Sequence, residues 1–196
     1  VSIGSGVTIG SSSKVGDKTL IYSNVSIYDS VSIGTNCIIH SGTVIGSDGL
    51  GFARAGENWV KIEHLGKVII GDDVELGSNC SIDRGSVGDT HLDDQVKLDN
   101  DIHLAHNVHV GRASVIAANT TVAGSTTIGK NCTISGGCGI IDNLIITDSV
   151  HITALSLVTK SITKSGTYTS GTPLMEHSLW KRNAVAFKRL KDLIKK

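Results

Sequence analysis

An aliphatic residue recurs at every sixth position along three runs of the chain. The runs extend from Ile3 to Ile45, from Ile70 to Ile82 and from Leu92 to Val158. A period of six is even, so in an extended strand the aliphatic residue and the residue four positions later point to the same side. That fifth position of the repeat is small or branched, as at Val25 and Val96. The pattern predicts short strands in which both positions face one interior.

A repeat of this kind indicates a stacked architecture. Three repeats form one triangular coil, so residues 18 apart lie on successive coils at a spacing of about 4.8 Å. Glycine often follows the aliphatic residue, as in Ile3-Gly4 and Val110-Gly111. It suits corners where a positive φ or a close backbone approach is needed. We therefore predict an all-β fold, a left-handed parallel β-helix over residues 1–165, followed by a C-terminal α-helical tail.

The four cysteines test this register, because all fall at the inward fifth position: Cys37, Cys80, Cys132 and Cys138. A role as small buried hydrophobic side chains accounts for all four. A disulfide or a zinc site needs thiols that converge, and the sequence has no C-x-x-C spacing. Reduced cysteines fit a cytoplasmic setting, where we expect the protein to reside.

The repeat is interrupted twice. The longer insert covers residues 47–67, and the shorter one is a bulge around Gly88–His91. A loop as long as the first, in a rigid solenoid, is either functional or disordered. Its aromatic and glycine content favours a binding loop, and we expect Asp48, Phe52 and Trp59 to contact the substrate.

After Val158 the pattern decays, and residues 166–196 form a C-terminal extension. Thr172 and Pro173 are typical of a helix start, as cap and as first-turn residue. An apolar stripe follows, formed by Leu179, Val185, Ala186, Phe187, Leu190, Leu193 and Ile194. The basic residues are Lys181, Arg182, Lys188, Arg189, Lys191, Lys195 and Lys196, against the acids Glu176 and Asp192. They form the solvated face of a packing helix or a docking surface for an acidic partner, and the residues alone weigh both equally.

Composition narrows the function classes. Lys and Arg together number 18, as do Asp and Glu, so the bulk charge indicates no nucleic acid as partner. The apolar runs are shorter than the ~20 residues that a membrane-spanning helix needs, and no signal peptide is visible. Val1 already stands in repeat phase, so we expect an N-terminal part to precede this chain in the natural protein.

Three of the eight histidines cluster, as His103, His106 and His109. Zinc-binding β-helices of the γ-carbonic anhydrase type use two histidines five residues apart on neighbouring faces, and no histidine pair here has that spacing. We therefore predict no metal site. His103 and His109 occupy the sixth position of their repeats, on adjacent faces, whereas His106 occupies the third.

The 18-residue spacing places Gly124 next to His106 on the adjacent coil. A glycine leaves its backbone N–H open to a ligand, and a histidine base beside a free N–H is the minimal apparatus for acyl transfer. Asp99 precedes His106 by seven residues, one face back. We expect its carboxylate to hydrogen-bond the imidazole and fix the tautomer, with Asn100 beside it.

The chain also carries longer motifs. They are SGTVIGSDG (41–49), NWVKI (58–62), IDRG (82–85), LDN (98–100), AHNV (105–108), AGS (123–125), YTSGTPL (168–174) and WKRNA (180–184). In these motifs the sequence closely resembles the UDP-3-O-(3-hydroxyacyl)glucosamine N-acyltransferases of lipid A biosynthesis. Many acyltransferases share the hexapeptide alone, but the combination of motifs is specific. The resemblance covers essentially the whole chain.

The resemblance implies transfer of a 3-hydroxyacyl group from acyl carrier protein to the 2-amine of UDP-3-O-acylglucosamine. His106 matches the catalytic base, Asp99 its supporting carboxylate and Gly124 the backbone oxyanion donor. Asn100 matches a residue that contacts the phosphopantetheine arm, which arrives on the carrier protein, so we expect no bound cofactor. The family works as a homotrimer with active sites between subunits.

The resemblance also favours docking of the acidic carrier protein on the basic C-terminal helix through Lys181, Arg182 and Lys188, and trimerisation would bury the helix's apolar stripe. Family members carry an N-terminal uridine-binding domain that is absent from this chain. Some have a second active-site histidine where this chain has Asn143, so that role does not transfer. Two alternatives stay open: a nucleotide-sugar O-acyltransferase on the same scaffold, and a non-catalytic structural β-helix.

Overall fold

The computed structural model describes residues 1–190 as a left-handed parallel β-helix followed by one α-helix. This confirms the fold class predicted from the six-residue period. Residues 191–196 are outside the described part of the chain. The predicted basic residues Lys191, Lys195 and Lys196, the acid Asp192 and the apolar Leu193 and Ile194 therefore lie outside it.

Most strands of the β-helix are two residues long. The strands before the long insert are β1 (Ser2–Ile3), β2 (Thr8–Ile9), β3 (Lys14–Val15), β4 (Leu20–Ile21), β5 (Ser26–Ile27), β6 (Ser32–Ile33), β7 (Ile38–Ile39) and β8 (Val44–Ser47). The insert forms a hairpin of β9 (Phe52–Ala55) and β10 (Asn58–Lys61). The next strands are β11 (Val68–Ile70), β12 (Glu75–Leu76) and β13 (Ser81–Asp83).

A long regular run follows the second interruption. Its strands are β14 (Thr90–Leu92), β15 (Lys97–Leu98), β16 (His103–Leu104), β17 (His109–Val110), β18 (Val115–Ile116), β19 (Thr121–Val122), β20 (Thr127–Ile128), β21 (Thr133–Ile134), β22 (Gly139–Ile140), β23 (Ile145–Ile146), β24 (Val150–Ile152) and β25 (Leu157–Val158). The last strand is β26 (Gly166–Tyr168), and the helix α1 is His177–Lys188.

The strands stack into three parallel sheets, one for each side of the triangular coil. The first sheet contains β1, β4, β7, β12, β15, β18, β21, β24 and β26. The second sheet contains β2, β5, β8, β13, β16, β19, β22 and β25, and the third contains β3, β6, β11, β14, β17, β20 and β23. In the regular parts, residues 18 apart lie opposite each other, as in the pairs Ile3–Ile21 and Leu104–Val122.

The interior is the predicted stack of aliphatic residues. Every member of the six-residue series from Ile21 to Ile152 is buried, and so are all four cysteines, which are free thiols. Burial raises the pKa of the Cys37, Cys80 and Cys132 thiols. Ile3 and Ile9 in the first coil remain exposed, because no coil of this chain covers that side. The register derived from the aliphatic period is confirmed.

Inward hydroxyl groups satisfy the buried backbone at the fifth position. Thr43 Oγ1 accepts a hydrogen bond from the Cys80 N–H at 3.1 Å and donates one to the Gly77 carbonyl at 2.7 Å. Ser114 Oγ makes the equivalent pair of bonds just before β18 in the first sheet, accepting from Cys132 N–H at 2.9 Å. A polar side chain is therefore tolerated in this core where it bridges two coils, because none of its hydrogen-bonding capacity is lost.

The corners use asparagine for positive φ and glycine for close approach. Asparagine is the most frequent non-glycine residue with positive φ, as at Asn107 (61°) and Asn119 (59°). The glycine after an aliphatic residue has another function. A Cβ on Gly111 would lie 2.6 Å from the carbonyl carbon of Gly129 on the next coil. Close backbone approach is therefore the explanation realised at Gly111, whereas Gly46 after Ile45 has a positive φ of 94°.

The two interruptions leave the β-helix after β8 and after β13, which are neighbours in the second sheet. The first contains the hairpin of β9 and β10, with all of its strand residues exposed. The second spans residues 84–89, not Gly88–His91 as predicted, because strand pairing resumes at Thr90. Thr90 pairs with Val68 and His91 pairs with Ile69, so both residues already belong to the regular β-helix.

The C-terminal helix begins later than predicted. Its N-cap is Glu176, whose carboxylate accepts hydrogen bonds from the N–H groups of Ser178 and Leu179. These bonds satisfy two N–H groups that a helix start leaves unpaired, so the helix starts there and Thr172 and Pro173 lie before it. Residues 177–188 include no buried side chain. Within residues 1–190, no helix is long and apolar enough to cross a membrane.

Two isoleucines of the third sheet provide a test of the inward register. Ile128 on β20 is fully buried, whereas Ile145 on β23 is 62% exposed. Ile128→Ala is expected to lower the free energy of unfolding by about 2–5 kcal/mol, because it leaves a cavity among close-packed neighbours. Ile145→Ala is expected to change it by about 0.5 kcal/mol or less. Denaturant unfolding measures both, and equal losses would contradict the inward register.

Candidate active site

The candidate site lies on one corner of the β-helix, where each coil passes from the second sheet to the third. We call this stack of connections the site corner: residues 48–67, 84–89, 105–108, 123–126 and 141–144. Both interruptions of the repeat therefore emerge directly beside the corner that carries His106. The pairing of β8 with β13 stays in register up to Ile45 and Ile82 and shifts by one residue only at the last pair, Ser47 and Asp83, where the interruptions begin.

His106 is oriented by its neighbour Asn107. The His106 Nδ1 lies 3.0 Å from Asn107 Oδ1. That oxygen also accepts hydrogen bonds from the N–H and hydroxyl of Ser86, and the Asn107 Nδ2 donates to the Gly88 carbonyl at 2.9 Å. Since these partners fix which Asn107 atom is the acceptor, His106 Nδ1 carries the proton and Nε2 carries the lone pair. The shorter interruption thus sets the tautomer of the candidate base.

Gly124 lies against the ring of His106, as the 18-residue spacing predicts. The Ser125 N–H donates a hydrogen bond to the His106 carbonyl at 3.0 Å, which joins two successive coils at the site corner. A Cβ on Gly124 would lie 2.6 Å from His106 Cε1 and 2.7 Å from Nε2. Only glycine leaves room for the imidazole at this height. Within residues 1–190, the Gly124 N–H donates no hydrogen bond to the protein. A base and a free N–H donor therefore stand side by side.

An open cleft of about 580 Å³ runs along the site corner. Its lining residues are Ser47, Asp48, Gly49, Leu50, Ser81, Asp83, His103, Ala105, His106, Ala123, Gly124, Ser125, Asp142 and Asn143. Three of the predicted site residues, His106, Gly124 and Asp48, are thus brought together in one cleft. Asn143 lines the same cleft, and its Nδ2 donates to the Asp142 carboxylate at 2.7 Å.

A buried carboxylate lies in this cleft, and sequence reasoning missed it. Asp83 ends β13 and is 5% exposed. Its Oδ1 accepts a hydrogen bond from the Ser47 hydroxyl at 3.0 Å, and its Oδ2 lies 3.4 Å from His103 Nε2. The hydrogen bond to Asp83 raises the pKa of His103. Polar and charged groups therefore face the cleft beside the base.

Asp48 is held by a cation of the insert. Lys61 on β10 forms an ion pair with its carboxylate. This contact lowers the pKa of Asp48 and raises the pKa of Lys61. Because Asp48 follows β8 directly and Lys61 is at the end of the hairpin, the pair ties the insert to the wall of the cleft.

Phe52 and Trp59 lie outside this cleft. With Leu50 they line a neighbouring apolar cavity of about 410 Å³ on the insert hairpin. The Arg54 guanidinium lies over the Trp59 ring, 5.7 Å from its centroid. Leu50 lines both cavities, so the apolar one adjoins the cleft. Substrate contact by Phe52 and Trp59 remains a prediction.

Asp99 does not hydrogen-bond His106 within residues 1–190, so the predicted contact between them is wrong for this chain. Asp99 Oδ1 accepts from the Asn100 N–H and side-chain amide, and Oδ2 accepts from the Ala118 N–H at 3.2 Å. Both residues lie on the preceding corner, between the first and second sheets. Seven residues exceed one repeat, so a whole strand, β16, separates that corner from His106. Asp99 and Asn100 line a groove of about 470 Å³ of their own.

Asn107, Asp83, His103 and the insert residue His64 are the site residues that sequence reasoning missed or left unassigned. Two signals were available. Asn107 follows the histidine directly, and Asp83 stands in the IDRG motif. Neither signal shows the hydrogen bonds, since these run to residues about 20 positions away. Within residues 1–190, no three His, Cys, Asp or Glu side chains are grouped as metal ligands.

Comparison with known sequence families places two segments among hexapeptide repeats. Residues 12–47 match the family described as bacterial transferase hexapeptide (six repeats). Residues 67–100 match the family described as hexapeptide repeat of succinyl-transferase. Both segments are parts of the β-helix, and the insert lies between them.

Several curated proteins are similar over most of the chain. The UDP-3-O-acylglucosamine N-acyltransferase of Chromohalobacter salexigens is 48% identical over 163 residues, which are 83% of this chain and 47% of that protein. The protein of the same name from Xanthomonas oryzae pv. oryzae is 54% identical over 158 residues, 81% of this chain and 47% of that protein. The chain thus spans about half the length of the curated relatives it matches.

Among solved structures, the UDP-N-acetylglucosamine O-acyltransferase of Moraxella catarrhalis is similar with a TM-score of 0.75. It is 26% identical, and the match covers 92% of this chain and 70% of that chain. The β-helix is therefore shared with an O-acyltransferase, whereas the sequence identity is greater with the N-acyltransferases.

The Asp83–His103 contact gives a pH-dependent prediction. A raised pKa in the folded protein means that the pair stabilises the fold below the ordinary histidine pKa of about 6.5, and that this stabilisation is lost as the pH rises through the folded value. Asp83→Asn is expected to return the His103 pKa toward its ordinary value, as measured by NMR titration. His151 is the internal reference, since among residues 1–190 its side chain hydrogen-bonds Thr133 and no carboxylate. An unchanged His103 pKa would contradict the contact.

Proposed function

We propose that the chain forms the acyl-transfer site of a UDP-3-O-acylglucosamine N-acyltransferase. Two of its segments match hexapeptide-repeat transferase families, and about four fifths of its length is similar to such N-acyltransferases. The reaction moves a 3-hydroxyacyl group from acyl carrier protein to the 2-amine of UDP-3-O-acylglucosamine, in lipid A biosynthesis. The observation that carries the proposal is the placement of the His106 imidazole against Gly124 in an open cleft.

His106 is the general base. Its Nε2 takes a proton from the substrate amine as the nitrogen attacks the thioester carbonyl, and a C–N bond forms. The Gly124 N–H stabilises the negative charge on the carbonyl oxygen. The C–S bond then breaks, and the departing thiolate takes the proton from the His106 imidazolium, which regenerates the base. The proton on Nδ1, held by Asn107, supports this role because it leaves Nε2 free to accept.

The acting unit is a homotrimer with sites between subunits. The separation of Asp99 and Asn100 from His106 within one chain supports this arrangement. These two residues line a groove on another corner, so each chain offers two partial sites. In the trimer, Asp99 supports the base and Asn100 contacts the phosphopantetheine arm from a neighbouring subunit. Asp48, Phe52 and Trp59 contact the sugar substrate from the insert.

The acyl donor is a carrier protein that docks on the C-terminal helix. Lys181, Arg182 and Lys188 are exposed on α1, and they suit an acidic partner. The phosphopantetheine arrives on that partner, so the enzyme needs no cofactor of its own. We place the reaction in the cytoplasm, in keeping with four free thiols.

The base is tested by His106→Ala in the full-length protein. The expected loss is about 10²–10⁴-fold in kcat, because general-base catalysis contributes on that order. The matched control is His151→Ala, a histidine on the first sheet outside the cleft. Acyl transfer is measured with acyl carrier protein and UDP-3-O-acylglucosamine, and circular dichroism checks the fold. Near-wild-type turnover by His106→Ala would refute the assignment.

The same assay separates the N-acyltransferase from an O-acyltransferase. The acceptor is offered in two forms, one with a free 2-amine and one with a 2-acetamido group and a free 3-hydroxyl. We expect product only from the free amine, because the relatives with 44–54% identity bear the N-acyltransferase name. Acylation of the 3-hydroxyl alone would favour the O-acyltransferase. Turnover of neither acceptor by wild type would contradict both.

The docking surface is tested by charge neutralisation. The triple variant Lys181→Gln, Arg182→Gln, Lys188→Gln is expected to weaken carrier-protein binding on the order of tenfold at low salt, with a smaller effect at high salt. The control replaces the exposed β-helix lysines Lys14, Lys18 and Lys130 by Gln. Surface plasmon resonance gives both affinities. Equal affinity of the helix variant and wild type at low salt would contradict docking on α1.

A further inference from the structure

His64 is a buried histidine that the proposed chemistry does not use. It lies near the end of the long insert and is 5% exposed. Its Nδ1 lies 3.1 Å from the Ile62 carbonyl oxygen. A carbonyl only accepts, so Nδ1 carries the proton and Nε2 is the unprotonated nitrogen. That Nε2 is buried and has no hydrogen-bond partner within residues 1–190. A buried polar atom without a hydrogen-bond partner is unfavourable, so the position of His64 calls for an explanation.

The ring of His64 packs against the ring of His106. The two centroids are 5.8 Å apart and the planes meet at 74°, an edge-to-face arrangement. Aromatic rings prefer this geometry at 4.5–7 Å. Through the His64 side chain, the insert therefore contacts the candidate base directly.

Two backbone segments of the insert pack closely against the rings of His64 and His106. A Cβ on Gly51 would lie 2.5 Å from His64 Cε1, and a Cβ on Gly49 would lie 3.3 Å from His106 Cδ2. The two glycines therefore allow the insert to close over both rings. His106 is then bounded by Asn107 at Nδ1, by Gly124 below the ring, by Gly49 at Cδ2, and by His64.

We propose that His64 is a positioning residue for His106: its ring, anchored by the Nδ1–H bond to Ile62, backs the imidazole of the base and keeps Nε2 of His106 directed at the acceptor amine. The kinetic test of this inference rests on the proposed function. It assigns a role to the long insert that the repeat does not require. Residues 47–67 would serve as the support that holds the base, in addition to any contact with substrate.

Three substitutions distinguish the contribution of the His64 ring from that of its hydrogen bond to the Ile62 carbonyl. His64→Ala removes both, His64→Asn keeps a donor for the Ile62 carbonyl but no ring, and His64→Phe keeps the ring but no donor. A fourth variant, Gly51→Ala, keeps the His64 residue but displaces its ring through the added methyl group. The matched control is His91→Ala, because His91 packs on His109 with centroids 5.7 Å apart, outside the cleft.

The kinetic measurement is kcat and KM of the full-length protein. An edge-to-face pair contributes about 0.5–1.5 kcal/mol, so His64→Ala, His64→Asn and Gly51→Ala are expected to lower kcat about 2- to 13-fold with KM unchanged. His64→Phe is expected to recover most of kcat, and His91→Ala to keep it. A loss in KM alone would show contact with substrate instead, and wild-type kcat in all variants would overturn the proposal.

The second measurement needs no turnover, so it stands even if the proposed reaction is wrong. Nuclear Overhauser contacts from the His106 ring protons to Gly124 and Gly49 report where the imidazole lies. Wild type and His91→Ala are expected to show both contacts, and His64→Ala and Gly51→Ala to weaken them, while the Nδ1–H form set by Asn107 is kept. If those variants keep both contacts at full strength and lose only thermal stability, His64 is a packing residue and the positioning role is refuted.

Discussion

The stacking of coils in fixed register is the constraint on which the rest of the structure depends. Each short strand bonds only to the strands one coil before and after it, and inward residues at 18-residue spacing share one buried column. A change of one residue within a strand would turn the aliphatic side chains outward. Additional residues can therefore enter only at a corner, and both interruptions do so at the same corner.

Because the coils stack at that corner, residues of the shorter interruption lie next to His106 and help to form the candidate site. The bulge of residues 84–89 sits one coil from His106, so Ser86 and Gly88 can hold Asn107, and Asn107 can hold the imidazole. The next coil supplies Gly124, whose lack of a side chain makes room for the ring. Regular coils position these groups without loops of their own. The result is a preorganised imidazole, which could act as a base without rearrangement of the protein, as proposed.

Two separate grooves divide the predicted site residues of this chain. His106 and Gly124 line one cleft, and Asp99 and Asn100 line another across β16. The triangular cross-section keeps the corners of one coil apart, so no side-chain rotation would join the grooves. A trimer, as proposed, is a direct way to bring one groove of a subunit to the other groove of its neighbour. The exposed apolar residues of α1, including Phe187, are also available for such contacts.

The sequence alone determined the β-helix, its register, the burial of the cysteines and the neighbourhood of His106 and Gly124. These follow from a strict period, because a spacing along the chain becomes a fixed spacing in space when every coil is alike. The tertiary structure decided the rest: that Asn107 and not Asp99 holds His106 within the chain, that Asp83 is buried beside His103, and that His64 packs on the base. Those contacts depend on where two irregular loops fold back, and no period describes a path that leaves the ladder.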